Sequence, residues 1–259
     1  MKIFDKITQF YKENKPFTIY RKPNSDFVSG FFMNDDSLFY SDDFSESGFV
    51  FSPFDNQQKT ILFPLEKSEF LSEKIVLNFE LDPQKNISYD DNSKKSHIAL
   101  VEKTIKEIHE NNVKKIVVSR EEQVEIIAFD LVEIYQKLLS NYKNAFTYVW
   151  FHPKVGLWLG ATPETLLELE NSNFRTMSLA GTQLFNKNVE NVVWKNKELD
   201  EQQLVTDFIE SQLESITSVL KIDKKSKIVL SSKKLSPLKV GDWCHNIQLL
   251  ACIVKDIID

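Results

Sequence analysis

"NAFTYVWFHPKVGLWLGATPETLLELE", residues 144–170, decides the fold class. "NAFTYVWFHP" and "VGLWLGATPETLLELE" are aromatic and β-branched runs that read as two long strand regions. Upstream, Ile98, Val101, Ile105 and Ile108 recur at helical spacing. That apolar stripe predicts a helix ended by Asn111 and Asn112. "KIVVSREEQVEI", 115–126, then reads as a strand with Ile116, Val117 and Val118 as its buried middle. Asp130 as N-cap and Glu133 in a capping box open a further helix at "LVEIYQKLL".

Downstream, "FRTMSLAGTQ" is another run that leads into a polar connection. Leu204, Val205, Phe208, Ile209, Leu213 and Ile216 then mark a long amphipathic helix, and "KSKIVLSS" a last short strand. The first ninety or so residues read as short strands and turns, among them "PFTIYRKP", "SGFFMND", "SGFVFSPF" and "KTILFPL". "LDPQKNISYDDNSKKS", 81–96, reads as a linker or long loop. Helices and strands alternate in clumps, without a regular βαβ rhythm. The expected class is therefore α+β, with large, mostly antiparallel sheets and flanking helices. The expected organisation is a β-rich segment, 1–92, followed by a second region, 93–259.

The chain has 259 residues, enough for one large domain or two small ones, and 42% are hydrophobic, which argues against disorder. Net charge is -6 with interspersed signs, so no nucleic-acid or anionic-membrane partner is expected. No stretch approaches the roughly 20 apolar residues that cross a bilayer. The N-terminus has neither an apolar h-region nor a small-residue cleavage site. Cys244 and Cys252 form no CxxC or zinc spacing, and a reduced, cytoplasmic setting is expected. None of the six glycines forms a GxGxxG or GxxxxGK loop.

Four short constellations can carry chemistry. Lys115 precedes an apolar strand. It is either a strand-end lysine whose head reaches water or a base with its pKa lowered in a dry cleft. Glu164 follows Thr162-Pro163, as an exposed turn carboxylate or as a general acid raised by burial. "SLAGTQ", 178–183, is a turn after a strand, or a place where backbone N–H groups approach an anion. Glu198 and Glu201 share a face at the start of the long helix. They suit the helix dipole, or form half of a magnesium site built from hard oxygen ligands. His152 and His245 stand isolated in sequence.

In order, "KKIVVSR", "GATPETLLEL", "SLAGT" and "KELDEQQLVTDFI" resemble the motifs of chorismate-utilising enzymes, above all the isochorismate synthases. That family shows a Lys-apolar-apolar-apolar-Ser-Arg strand, a G-A-S-P-E turn, an L-A-G-T segment and a K-[DE]-x-x-E-H helix. Thr162 stands here for Ser and Gln202 for His. The resemblance covers roughly residues 93–245. It implies Lys115 as the base activating the water that attacks C2, and Glu164 as the acid protonating the departing C4 hydroxyl. It also implies Glu201 as a direct Mg²⁺ ligand and Glu198 as a ligand through water. Ala180, Gly181 and Thr182 would line the chorismate site, with His245 beside them. The base lysine argues against anthranilate synthases, and Ala180 against aminodeoxychorismate synthases, which carry a covalent lysine there. The implied activity is Mg²⁺-dependent conversion of chorismate to isochorismate, for menaquinone or siderophore synthesis. A salicylate synthase, or an inactive pseudoenzyme or binding module, is the alternative.

The resemblance fades after Gly241. Members of the family continue with an H-P-T-P-A segment, a tyrosine and arginine for the substrate carboxylates, and a helix with a second pair of magnesium glutamates. The expectation is thus a truncated or frameshifted form, incomplete at its C-terminus, of an enzyme that is monomeric when complete.

Overall fold

The computed structural model describes residues 2–55, 57–76, 91–121, 123, 126, 128–170, 173–181, 193–213, 220–223 and 227–231. The N-terminal part holds helix α1 (Ile3–Lys12) and strands β1 (Phe17–Arg21), β2 (Phe27–Phe32), β3 (Phe39–Ser41), β4 (Gly48–Phe51), β5 (Thr60–Pro64) and β6 (Glu69–Lys74). Helices α2 (Asp91–Glu110) and α3 (Leu131–Asn141) follow, then strands β7 (Phe146–His152), β8 (Gly156–Thr162), β9 (Glu168–Glu170) and β10 (Asn173–Met177). Helix α4 (Asn196–Leu213) and strands β11 (Leu220–Asp223) and β12 (Lys227–Ser231) complete the order among the described residues. Among the described residues, every strand pairing is antiparallel. The class is α+β, as the sequence implies.

The main sheet has the order β6-β2-β1-β7-β8, so it joins strands from either side of residue 92. Side chains alternate across a strand with a period of two. Phe17 and Ile19 of β1, Val28 and Phe32 of β2, and Val149 and Phe151 of β7 therefore share one face. They pack there with Ile3, Ile7 and Phe10 of α1 and with Leu131, Tyr135 and Leu139 of α3. The opposite face carries Tyr20, Phe31 and Trp150, which pack on Phe49 and Phe63 of the three-stranded sheet β3-β5-β4. Burial on both faces explains why β1 is buried at all five positions.

Polar groups close this core. Arg21 is 6% exposed, on the helix-facing side of β1. Its Nη1 donates to the Leu139 carbonyl at 2.8 Å and its Nη2 to the Tyr142 carbonyl at 2.6 Å. The first satisfies a carbonyl that the end of α3 leaves open, and the second adds to the bond that the Tyr142 carbonyl already accepts from the Ala145 N–H at 3.1 Å. Across the sheet, β6 presents Glu69, Leu71 and Glu73 on one face. Glu69 pairs with the buried Lys6, and the Glu73 carboxylate accepts the Ile3 N–H at 2.8 Å, where a helix N-terminus favours negative charge.

Helix α1 was not expected, because the aromatic punctuation of the first ninety residues reads as strands. Its stripe of Ile3, Ile7 and Phe10 is nevertheless helical in spacing. Asn14 ends it with φ 53°, as the Lys15 N–H bonds back to the Phe10 carbonyl at 2.9 Å.

The remaining strands form a four-stranded sheet, β11-β12-β10-β9. Residues 80–130 form a separate compact unit containing α2. That helix begins at Asp91, so the expected linker 81–96 gives way to helix over its last six residues; 81–90 lie outside the described residues. Asn112, with φ 52°, closes its C-terminal end as the sequence suggests. Among the described residues, no helix is long and apolar enough to cross a membrane.

Candidate active site

Helix α4 carries the paired carboxylates, and its first turn is built by Glu198 itself. The Glu198 Oε2 accepts the Lys195 N–H at 3.0 Å, while the Lys195 carbonyl accepts the Glu198 N–H at 3.1 Å. This is the reach-back half of a capping box, satisfying an N–H that no helical carbonyl can. Glu201 lies one turn on and half-buried, on the same face.

The segment after β10 lies along this helix. Ser178 is buried, and its hydroxyl donates to the Gln202 carbonyl at 3.3 Å. The Gln202 side-chain Nε2 donates in turn to the Ser178 carbonyl at 3.3 Å. Three residues later Gly181 rests on Glu198: a Cβ there would stand 2.6 Å from the Glu198 Cγ and 3.3 Å from the Trp194 ring. Glycine is required at this position by close approach alone. The fold thus brings Gly181 against Glu198.

Glu164 follows the end of β8. Within that strand Gly160 sits directly opposite Tyr148, and a Cβ at 160 would lie 2.6 Å from the Tyr148 ring. The glycine admits the ring, which explains a glycine inside a strand. Past the strand the Glu164 N–H reaches the Thr162 hydroxyl at 3.3 Å, and Glu164 is half-buried. The loop is tethered two residues on, where the Thr176 hydroxyl donates to the Leu166 carbonyl at 2.6 Å. Thr176 lies in β10, which runs directly into Ser178. Short links therefore join the Glu164 loop to the segment on α4.

Lys115 is half-buried in the 80–130 unit, whereas Glu164, Ala180, Gly181, Glu198 and Glu201 belong to the other. The strand expected over 115–126 is not formed by the described residues there, and Val117 is 82% exposed in place of buried. A strand exists only as one side of a hydrogen-bonded ladder, and no strand among the described residues pairs with this stretch. Apolar content alone cannot supply that partner. Thr182 and His245 lie outside the described residues.

Among the described residues, no group of three or more His, Cys, Asp or Glu side chains converges on one point. Magnesium asks less of a protein: usually one or two carboxylates, with waters and substrate oxygens completing the shell. Glu198 and Glu201 fit that donor chemistry. A carboxylate has about four lone-pair sites, so the one bond from Lys195 leaves Glu198 capacity for more.

Sequence reasoning quoted Ser178 within a motif and Gln202 as a departure from one, but missed the mutual bonds by which they hold the segment. Their signal is faint: a serine and a glutamine apart in sequence carry no spacing rule. The Gly160–Tyr148 pairing was more accessible, since a glycine within a strand pattern implies close approach.

A family model described as chorismate binding enzyme matches residues 51–238. Among solved structures, the chain is similar to DhbC of Bacillus anthracis, assigned as a 2,3-dihydroxybenzoate-specific isochorismate synthase. That likeness has a TM-score of 0.67 and 16% identity, over 94% of this chain and 75% of the other. MenF of Escherichia coli, a menaquinone-specific isochorismate synthase, is similar with a TM-score of 0.58 and 16% identity, over 91% and 68% of the two chains. No curated protein sequence matches significantly. At that identity the solved structures establish the fold alone. The family match spans most of the chain, including both the Glu164 loop and the Gly181–Glu198 contact, and the chain belongs to the chorismate-binding enzyme family.

Proposed function

We propose that this chain carries the machinery of an isochorismate synthase. The observation that supports it best is the seating of Gly181 on the stem of Glu198, within residues that match the family. A segment able to line a chorismate site is thereby held against a carboxylate helix able to hold Mg²⁺. Glu164 occupies a tethered, half-buried loop suited to a general acid.

In this reading Lys115 accepts a proton from the water that adds at C2 of chorismate. Glu164 gives a proton to the C4 hydroxyl, which leaves as water while the ring double bonds shift. One water enters and one departs, so the reaction is an isomerisation. Glu201 and Glu198 would hold Mg²⁺, which supplies charge neutralisation at the substrate carboxylate when bound. Ala180, Gly181, Thr182 and His245 would line the substrate. The product serves menaquinone or siderophore synthesis in the cytoplasm.

The test is incubation of the purified protein with chorismate and Mg²⁺, with products resolved by chromatography. Isochorismate is expected, and its loss in Lys115→Ala and Glu164→Gln with unchanged far-UV circular dichroism. Salicylate with pyruvate as the product would replace this reading by a salicylate synthase. Unaltered turnover in either variant would reject that residue's role.

A further inference from the structure

We propose that Gln202 is a positioning residue for the chorismate site, acting through Ser178; the inference rests on the function proposed above and deepens it. Gln202 and Ser178 exchange two hydrogen bonds, from the Gln202 Nε2 to the Ser178 carbonyl and from the Ser178 hydroxyl to the Gln202 carbonyl, each 3.3 Å. The residues are 24 positions apart, so the bonds join two separate pieces of chain.

The register shows what the clasp does. Residue 178 meets 202 and residue 181 meets 198, so the segment runs antiparallel along the first two turns of α4. Gln202 lies one turn beyond Glu198 on the same face and directly follows Glu201. One end of the segment is therefore fixed by Gln202, and the other by the contact of Gly181 with Glu198. Between them stand Leu179 and Ala180, which belong to no helix or strand among the described residues. The clasp sets the separation between the Ala180–Gly181 backbone and the Glu198–Glu201 carboxylates. A ligand gripped by both must fit that separation.

The amide chemistry is also specific. A glutamine Nε2 is a neutral donor at any working pH, so the clasp does not titrate. The related motif carries histidine at this position, which offers an N–H donor only in a suitable tautomer or when protonated. Both can donate to the Ser178 carbonyl; an isosteric thioether cannot.

The experiment compares the full chain with Gln202→Met and Gln202→His. Amide exchange at Ala180 and Gly181 is read by NMR, and chorismate turnover in Mg²⁺ is read alongside. In Gln202→Met, exchange at these amides is expected to quicken and the KM for chorismate to rise by roughly fivefold, the worth of one net hydrogen bond, with kcat within about twofold. Gln202→His should restore both. Unchanged exchange in Gln202→Met overturns the clasp. Quickened exchange with unchanged KM, or lost thermal stability as the sole effect, overturns the positioning role. A wild-type chain that neither binds nor converts chorismate refutes the proposed function, and with it that role, before any substitution is made; the exchange measurement still decides the clasp.

Discussion

Replacing Arg21 with methionine tests how the core is closed. Arg21 spans two carbonyls at the end of α3, Leu139 at 2.8 Å and Tyr142 at 2.6 Å, from a site only 6% exposed. Hydrogen bonds from a charged donor contribute about 1.5–3 kcal/mol each, so their joint loss costs about 3–6 kcal/mol. Methionine fills most of the volume and removes a guanidinium whose burial pulls its pKa below the ordinary value, which offsets part of that loss. A net loss of about 3 kcal/mol is expected, or roughly 6–12 °C in Tm for a chain of this size. Arg21→Lys keeps the charge, but one ammonium cannot bridge both carbonyls as a planar fork does. It should fall between the two, near about 1.5 kcal/mol. Urea titration and thermal melting by circular dichroism measure both variants. A methionine variant within about 0.5 kcal/mol of wild type, or a lysine variant as stable as arginine, refutes the argument from two bonded carbonyls.

Gly160→Ala forces a methyl against the Tyr148 ring at 2.6 Å and should cost about 1–3 kcal/mol by urea titration; an unchanged midpoint would mean the ring swings aside freely. Gly181→Ala pushes the Glu198 stem from its seat and loosens the Lys195 bond. Under the proposed function, it should raise the Mg²⁺ concentration needed for half-maximal turnover. An unshifted Mg²⁺ curve would separate Glu198 from the metal. His152 is buried, its Nδ1 accepting the Lys154 N–H at 3.2 Å, which places the proton of the neutral ring on Nε2. Burial is the main cause holding its pKa below 6.5 in the fold, so the unfolded chain binds the extra proton first. Stability from the neutral ring is complete above that value and is lost as pH falls toward the lowered one. Wild type should weaken from about pH 7.5 to about pH 5 more steeply than His152→Asn, and equal slopes would remove His152 from the account.

The strands at 17–21, 48–51, 60–64 and 146–152 were legible because aromatic and β-branched runs bounded by turn residues have few other uses. Helices α2 and α4 were legible from their stripes. The short strand β3 and the polar-faced β6 were not singled out. Glu69 and Glu73 do not look like sheet residues until α1 stands opposite, offering Lys6 and an open helix N-terminus. The error at 115–126 has the opposite origin: Ile116–Val118 has the composition of a strand but finds no ladder among the described residues. At the candidate site, the individual motif residues could be named from sequence. Their seating could not, because Ser178 to Gln202 and Gly181 to Glu198 are contacts of tertiary register.

The position of β1 between β2 and β7 has a consequence for synthesis. Its Thr18 hydroxyl donates to the Val149 carbonyl, and 131 residues separate the two. At roughly 5–20 residues per second, the partner of β1 leaves the ribosome about 7–26 s after β1 itself. Throughout that interval a nascent chain exposes the unpaired backbone edge later covered by β7, and chaperones have a defined target at residues 17–21. A pause before β7 (Phe146–His152) has left the exit tunnel lengthens this exposure, whereas a pause after it has emerged does not.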